Sequence, residues 1–199
     1  IFKKLIEMNV DLADVNGINL AHLYTRVDGN LEIDHELLEI MAAAGFKKLS
    51  FPVESGSQRI LDKYATGKLD LEKHDISALI RKAKELKMEI GGAYTFGYPD
   101  GSYSEMFRTF NLAREHISAG MDYANFVIIT PFPGTKFYDM VTAEGLLLPD
   151  LDVANMDWMR PSIKTKVPHW FINLIIKRGW KFVNNSKRIK HIGSMKPKT

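Results

Sequence analysis

The sequence predicts an α/β protein built on a parallel sheet, and three observations carry that prediction. β-rich runs alternate with helical stretches of ten or more residues, which implies parallel pairing through right-handed crossovers, in either a (β/α) barrel or an open doubly wound sheet. Gly45, Gly120 and Gly145 each close a helical pattern, where a chain that must turn left-handed favours glycine. Of 199 residues, 45% are hydrophobic and 26% charged, a composition that packs one core and excludes a disordered chain.

The elements follow in order. Residues 18–24 (I-N-L-A-H-L-Y) read as the first strand and residues 25–30 as its loop, with Arg26 at the strand's end. Asp34 is placed to cap a helix that turns Leu37, Leu38, Ile40, Met41 and Ala44 inward. Residues 48–53 form the second strand, which closes on Glu54-Ser55-Gly56-Ser57. A short helix over 59–63 leads to Thr66-Gly67-Lys68, and Asp70 can cap a long helix whose Ile76, Leu79, Ile80, Ala83 and Leu86 make one stripe. Residues 88–96 are the third strand, ending at Gly97-Tyr98-Pro99-Asp100-Gly101. Ser102 and Glu105 have capping-box spacing for a helix burying Met106, Phe110, Ala113 and Ile117. Residues 123–130 are the fourth strand, and Pro131-Phe132-Pro133-Gly134-Thr135 is a rigid turn whose Thr135 caps a helix to about residue 144.

Composition excludes several functions. The chain has no cysteine, which rules out disulfides, Cys-ligated zinc, a thiolate nucleophile and any iron–sulfur cluster held by these residues. The histidines show no metal-ligand spacing. No stretch is long and apolar enough for a membrane span and no leader opens the chain, so a cytoplasmic protein is expected. The opening Ile1-Phe2-Lys3-Lys4 reads as the start of a piece cut from a longer protein. Residues 1–157 hold 16 basic and 24 acidic side chains, whereas residues 158–199 hold 11 basic and none acidic. The expected organisation is therefore a barrel portion over 1–150 and a basic helical extension over 151–199. Trp170, Phe171, Leu174, Ile175, Ile176 and Trp180 interleave with those cations, so the extension reads as an amphipathic helix packed on the body, with nucleic-acid binding as the alternative.

In either architecture the loops after the strands share one rim, where ligands bind. Glu54 sets a carboxylate at a buried strand's end, suited to the vicinal hydroxyls of a ribose. Equally, Ser55 or Ser57 can simply cap the next helix beside Glu54. Gly91 and Gly92 mark close approach, either of a flat ligand such as adenine or of the barrel's own interior. Lys68 and Arg26 are solvated charges or partners of a ligand carboxylate.

Taken together, these segments resemble the radical SAM superfamily, nearest the branch that often carries an upstream cobalamin-binding domain. The resemblance rests on Asp34-His35-Glu36-Leu37-Leu38 with Ala44-Gly45-Phe46, on Phe51-Pro52-Val53-Glu54-Ser55-Gly56-Ser57-Gln58-Arg59-Ile60-Leu61, on Gly97-Tyr98-Pro99 and on Pro133-Gly134-Thr135. It covers about residues 17–147. The resemblance implies the last four βα units of a six-unit, TIM-like partial barrel with a C-terminal helical tail. It also implies a 4Fe–4S cluster that cleaves S-adenosylmethionine, cobalamin as a further cofactor, and a small-molecule substrate that the residues do not identify.

By the same resemblance, Glu54 with Ser55 or Ser57 would hold the ribose. Phe96, Gly97, Ile129 and Thr130 would flank the adenine, and Lys68 would meet the methionyl carboxylate. The cluster's three cysteines would lie before Ile1, so these residues alone are expected to be inactive. The second reading is a cluster-free module that binds a nucleoside-like ligand or a partner, and the third is an acid/base enzyme working through Glu54. A barrel lacking strands would expose edges and self-associate.

Overall fold

The computed structural model describes residues 1–65 and 69–184. In chain order the elements are helix α1 (Phe2–Met8), strands β1 (Leu12–Ala13), β2 (Tyr24–Val27) and β3 (Asn30–Ile33), then α2 (His35–Ala43), β4 (Phe46–Glu54), α3 (Gln58–Tyr64) and α4 (Ile76–Glu85). They continue with β5 (Glu89–Phe96), α5 (Tyr103–Ser118), β6 (Tyr123–Ile128), α6 (Lys136–Ala143) and α7 (His169–Val183). Strands β1, β4, β5 and β6 lie side by side in that order, all parallel, in a sheet that curls into a half-barrel. Among the described residues no helix is long and apolar enough to cross a membrane.

Strand alternation divides the sheet into two faces. Along β4, Leu49, Phe51 and Val53 are buried in the core beneath the helices, while Lys48, Ser50, Pro52 and Glu54 take the other face. The helices meet that core with the stripes their spacing dictates: Ile76, Leu79, Ile80 and Ala83 from α4, Met106 and Ala113 from α5. Asp34 accepts the Leu37 N–H at 2.9 Å, and the capping box of Ser102 and Glu105 is complete. Gly91 and Gly92 serve the protein's own packing, since a Cβ would stand 2.3 Å from Tyr123 Cζ and 2.6 Å from Met121 Sδ respectively.

Three expectations are corrected. The first strand of the sheet is Leu12–Ala13, not residues 18–24, because Leu20 and Leu23 are three apart and bury together on a 3₁₀ turn capped by Asn19. The following loop is a hairpin: β2 pairs antiparallel with β3 around Asp28 and Gly29, both at positive φ, and Arg26 is exposed on it. Helix α4 is capped by Asp75, which accepts the Ala78 N–H at 2.8 Å, whereas Asp70 closes the preceding turn onto Glu72 and Lys73.

The C-terminal helix belongs to the same core. Helix α7 buries Ile172, Ile175, Ile176, Gly179 and Val183 and leaves Lys177, Arg178 and Lys181 in solvent. Beyond it, the buried Asn184 side chain accepts the Ala124 N–H at 2.9 Å and donates to the Ala124 carbonyl at 2.7 Å. The Trp158 carbonyl accepts the Ile128 N–H at 2.7 Å. The outer edge of β6 is thus occupied at both ends.

Candidate functional site

Glu54 ends β4 where pairing with β5 slips, with a register shift between Pro52 and Glu54. Its φ is +66°, in the left-handed region, and the Ser55 N–H donates to the Val53 carbonyl at 2.8 Å. That i→i+2 bond around a positive φ is a γ-turn of the rare, strained kind. The turn aims the carboxylate across the strand end, where Thr95 Oγ1 donates to Glu54 Oε2 at 2.5 Å.

Glu54 lines a cavity of about 370 Å³ at the carboxyl end of the sheet, together with Asn19, Leu20, Pro52, Tyr64, Tyr98 and Ile129. Tyr98 stacks on Tyr64 with ring centroids 5.1 Å apart and planes at 29°. Burial, then the negative charge of Glu54, pushes the Tyr98 phenol well above its ordinary range, so it stays protonated. Tyr64 Oη donates to Asp100 Oδ1 at 2.7 Å, which fixes that ring over the cavity.

Beneath the cavity a polar network ties the Glu54 loop to α5. Gly56 lies against the α5 backbone, where a Cβ would come within 2.7 Å of the Arg108 carbonyl. The buried Ser55 hydroxyl is 3.2 Å from Thr109 Oγ1, and Ser57 Oγ donates to Glu105 Oε1 at 2.8 Å. Glu105 also accepts from Arg59 Nε at 2.8 Å and Nη2 at 2.9 Å, and from the Ser102 N–H at 2.9 Å. The Arg59 hydrogen bonds hold its carboxyl far below the usual carboxylate range. At Asp100 burial works upward but is overcome by hydrogen bonds from Tyr64, Lys63 and Arg59, which leave its pKa at about 2.

The residues singled out from sequence therefore separate. Glu54 and Ile129 line the cavity. Ser55 and Ser57 spend their hydroxyls on α5 and do not line it. Phe96 is buried with Phe126, ring centroids 5.7 Å apart, and Gly97, at φ +83°, faces Ile128 and Ile172. Thr130 Oγ1 is 2.9 Å from the Asp157 carbonyl and 3.1 Å from that of Ile128. Lys68 lies outside the described residues. Tyr98 and Tyr64 are cavity residues that sequence reasoning missed, and so is the buried Thr95, which lies behind the cavity wall and bonds Glu54. Thr95 was within reach, since it shares a face with Ala93 and Gly91 at the end of a strand beside Glu54.

Comparison with known proteins finds related chains. The chain is 28% identical over 127 residues to an uncharacterized methyltransferase of Pyrococcus horikoshii, an alignment covering 64% of this chain and 25% of that protein. It is 30% identical over 132 residues to the cytidylyl-2-hydroxyethylphosphonate methyltransferase of Streptomyces wedmorensis, covering 63% of this chain and 24% of that one. Its relatives are methyltransferases. The chain spans about a quarter of their length. Among solved structures, the radical S-adenosylmethionine methyltransferase TsrM from Kitasatospora setae, with cobalamin and a 4Fe–4S cluster bound, superposes with a TM-score of 0.48 at 16% identity, over 77% of this chain and 30% of that one. No protein-family model matches. Kinship with methyltransferases agrees with the radical SAM resemblance carried by the sequence.

Proposed function

We propose that this chain is the S-adenosylmethionine-binding portion of a cytoplasmic radical SAM methyltransferase whose acceptor is a small molecule. The observation that carries the reading is Glu54, a non-glycine residue held in a strained γ-turn at the wall of a rim cavity. Strain of roughly 1–3 kcal/mol persists where surrounding structure enforces it, and it concentrates at ligand sites. A cavity of about 370 Å³ falls within the range of roughly 300–1,000 Å³ that suits small ligands.

In this reading Thr95 fixes one carboxylate oxygen of Glu54, which leaves Oε1 to accept from a ribose hydroxyl. Tyr98 and Ile129 offer flat and apolar surface to an adenine, and Lys68 would meet the methionyl carboxylate. Ser55, Ser57, Phe96, Gly97 and Thr130 act at one remove, by holding the strand ends and loops that shape the cavity. When bound, S-adenosylmethionine would supply a transferable methyl group or, on accepting one electron from an iron–sulfur donor held outside these residues and releasing methionine, an adenosyl radical; the residues of this chain bind it, orient it and shield it from water. The relative that acts on cytidylyl-2-hydroxyethylphosphonate supports a small-molecule acceptor. Cobalamin enters only through the sequence resemblance, and no residue of this chain is assigned to it. A 4Fe–4S cluster does not fit these residues, because the chain has no thiolate to ligate it.

The test is calorimetric binding of S-adenosylmethionine and S-adenosylhomocysteine to the 199-residue chain and to Glu54→Gln. Losing a charge-assisted hydrogen bond should weaken binding by roughly tenfold or more. No saturable binding to the parent chain, or equal binding by Glu54→Gln, overturns the reading. The absence of cysteine favours a second reading, a module that binds a nucleoside-like ligand without catalysis. Binding of S-adenosylmethionine without cleavage by the whole protein, reconstituted with iron and sulfide, would select it.

A further inference from the structure

The outer face formed by α5 and α7 combines two features. The first is aromatic. Trp170 is 66% exposed, Phe107 50% and Tyr103 44%, and these rings are not scattered. Phe171 joins them, its centroid 4.7 Å from Tyr103, 6.2 Å from Phe107 and 5.7 Å from Trp170. Single exposed apolar residues are ordinary, whereas a contiguous exposed patch signals a partner.

The second feature is charge. At 100° per residue, the side of α7 opposite Ile172, Ile176 and Gly179 carries Trp170, Leu174, Lys177 and Lys181, with Arg178 beside them. Helix α5 adds exposed Arg114 on the side of Phe107 and Tyr103, whereas its Arg108 and Glu115 lie toward α4, where Arg108 approaches Glu105 at 3.9 Å and Glu115 accepts from Ser77 at 3.1 Å. Among the described residues Lys177, Arg178 and Lys181 form no salt bridge. The surface is cationic and aromatic on a chain whose first 157 residues carry a net negative charge.

We infer that the outer face of α5 and α7 docks on an anionic lipid surface, with Trp170, Phe107 and Tyr103 at headgroup depth and Lys177, Arg178 and Lys181 paired with lipid phosphate and carboxylate groups. The Trp170 and Tyr103 rings, apolar with one polar group, favour the bilayer interface, Phe107 adds purely apolar area beside them, and long basic side chains lay their stems on the apolar layer while their heads reach the anions. The face is the outside of two packed helices, with rings and cations in one layer, which suits a planar partner. A single-stranded nucleic acid is instead gripped in a groove that tracks its backbone. A second copy of the same face would oppose like charges. This inference is independent of the adenosyl-binding reading.

The test is co-sedimentation of the 199-residue chain with vesicles of phosphatidylcholine alone and of phosphatidylcholine with one-third phosphatidylserine, at low and high salt. The expected result is binding to the anionic vesicles only, weakened by salt, with a blue shift in tryptophan emission. Each cation near such a surface is worth about fivefold in affinity, so Lys177→Gln, Arg178→Gln and Lys181→Gln combined should lose on the order of a hundredfold. Trp170→Ser should abolish most of the blue shift. All four positions are exposed, so circular dichroism and the melting temperature should stay at parental values. Equal binding to both vesicle types, no loss in the triple variant, or capture of a single-stranded oligonucleotide without capture of vesicles would each overturn the inference.

Discussion

Replacing Glu54 by alanine and, separately, by glycine isolates the cost of its backbone from the work of its carboxylate. Both variants remove the carboxylate and its 2.5 Å hydrogen bond from Thr95, so a difference between them reports the backbone alone. At φ +66° the alanine Cβ crowds the following carbonyl, at a cost of roughly 1–2 kcal/mol. Glycine avoids that cost but gives back roughly 0.5–1 kcal/mol through the greater freedom of its unfolded chain. Glu54→Gly should therefore exceed Glu54→Ala in stability by about 1 kcal/mol, or roughly 2–4 °C in melting temperature for a domain of this size. Urea and thermal unfolding followed by circular dichroism read the difference, and calorimetry should show adenosyl binding lost from both. Equal stability, or a more stable alanine variant, would refute the γ-turn strain. Binding retained by either variant would refute the role of the carboxylate.

Other outcomes follow from the same geometry. Burial holds the His116 imidazole, 2.7 Å from Tyr94 Oη, down at about 4 against an ordinary 6.5. The unfolded chain takes up that proton first, so stability is full above pH 6.5 and falls as the pH drops toward 4, by up to roughly 3 kcal/mol. His116→Asn should flatten urea midpoints across that window. Asp100 and Glu105 are depressed carboxylates, so their stabilisation is present above the ordinary carboxylate range; that of Asp100 is lost as pH falls from about 3.8 through about 2, and that of Glu105 persists to lower pH. Arg59→Met should move that acid transition upward. Gly91→Ala drives a Cβ to 2.3 Å from Tyr123 and should cost roughly 1–3 kcal/mol by denaturant titration, partly restored by Tyr123→Leu.

The parallel sheet was legible because β4, β5 and β6 are long and continuously apolar on at least one face, and their helices carry clear stripes and caps. The first strand was not, because two residues, Leu12 and Ala13, give no periodicity, while the apolar run that follows folds as a turn. The hairpin was marked by Asp28-Gly29, a turn signal outweighed by the expectation of a βα loop. At the site, Glu54 stood out as a carboxylate at a strand end. The separation of Ser55 and Ser57 from the cavity follows from Thr109 and Glu105 on α5, about fifty residues away in the chain, and local reading does not reach that far. Tyr64 was hidden for the same reason, since its place depends on the distant Asp100.

Asn184 has a consequence for how this sheet can grow. Its amide copies the donor and acceptor of a neighbouring strand against Ala124, and the Trp158 carbonyl does half as much at Ile128. Lateral extension past β6 is blocked by side chain and loop, so any additional strand must zip on beside Leu12 and Ala13. Curvature can close from one flank only. A chain trimmed back to Val183 would regain a sticky border and, with it, a route to edge-to-edge stacking that the longer chain denies.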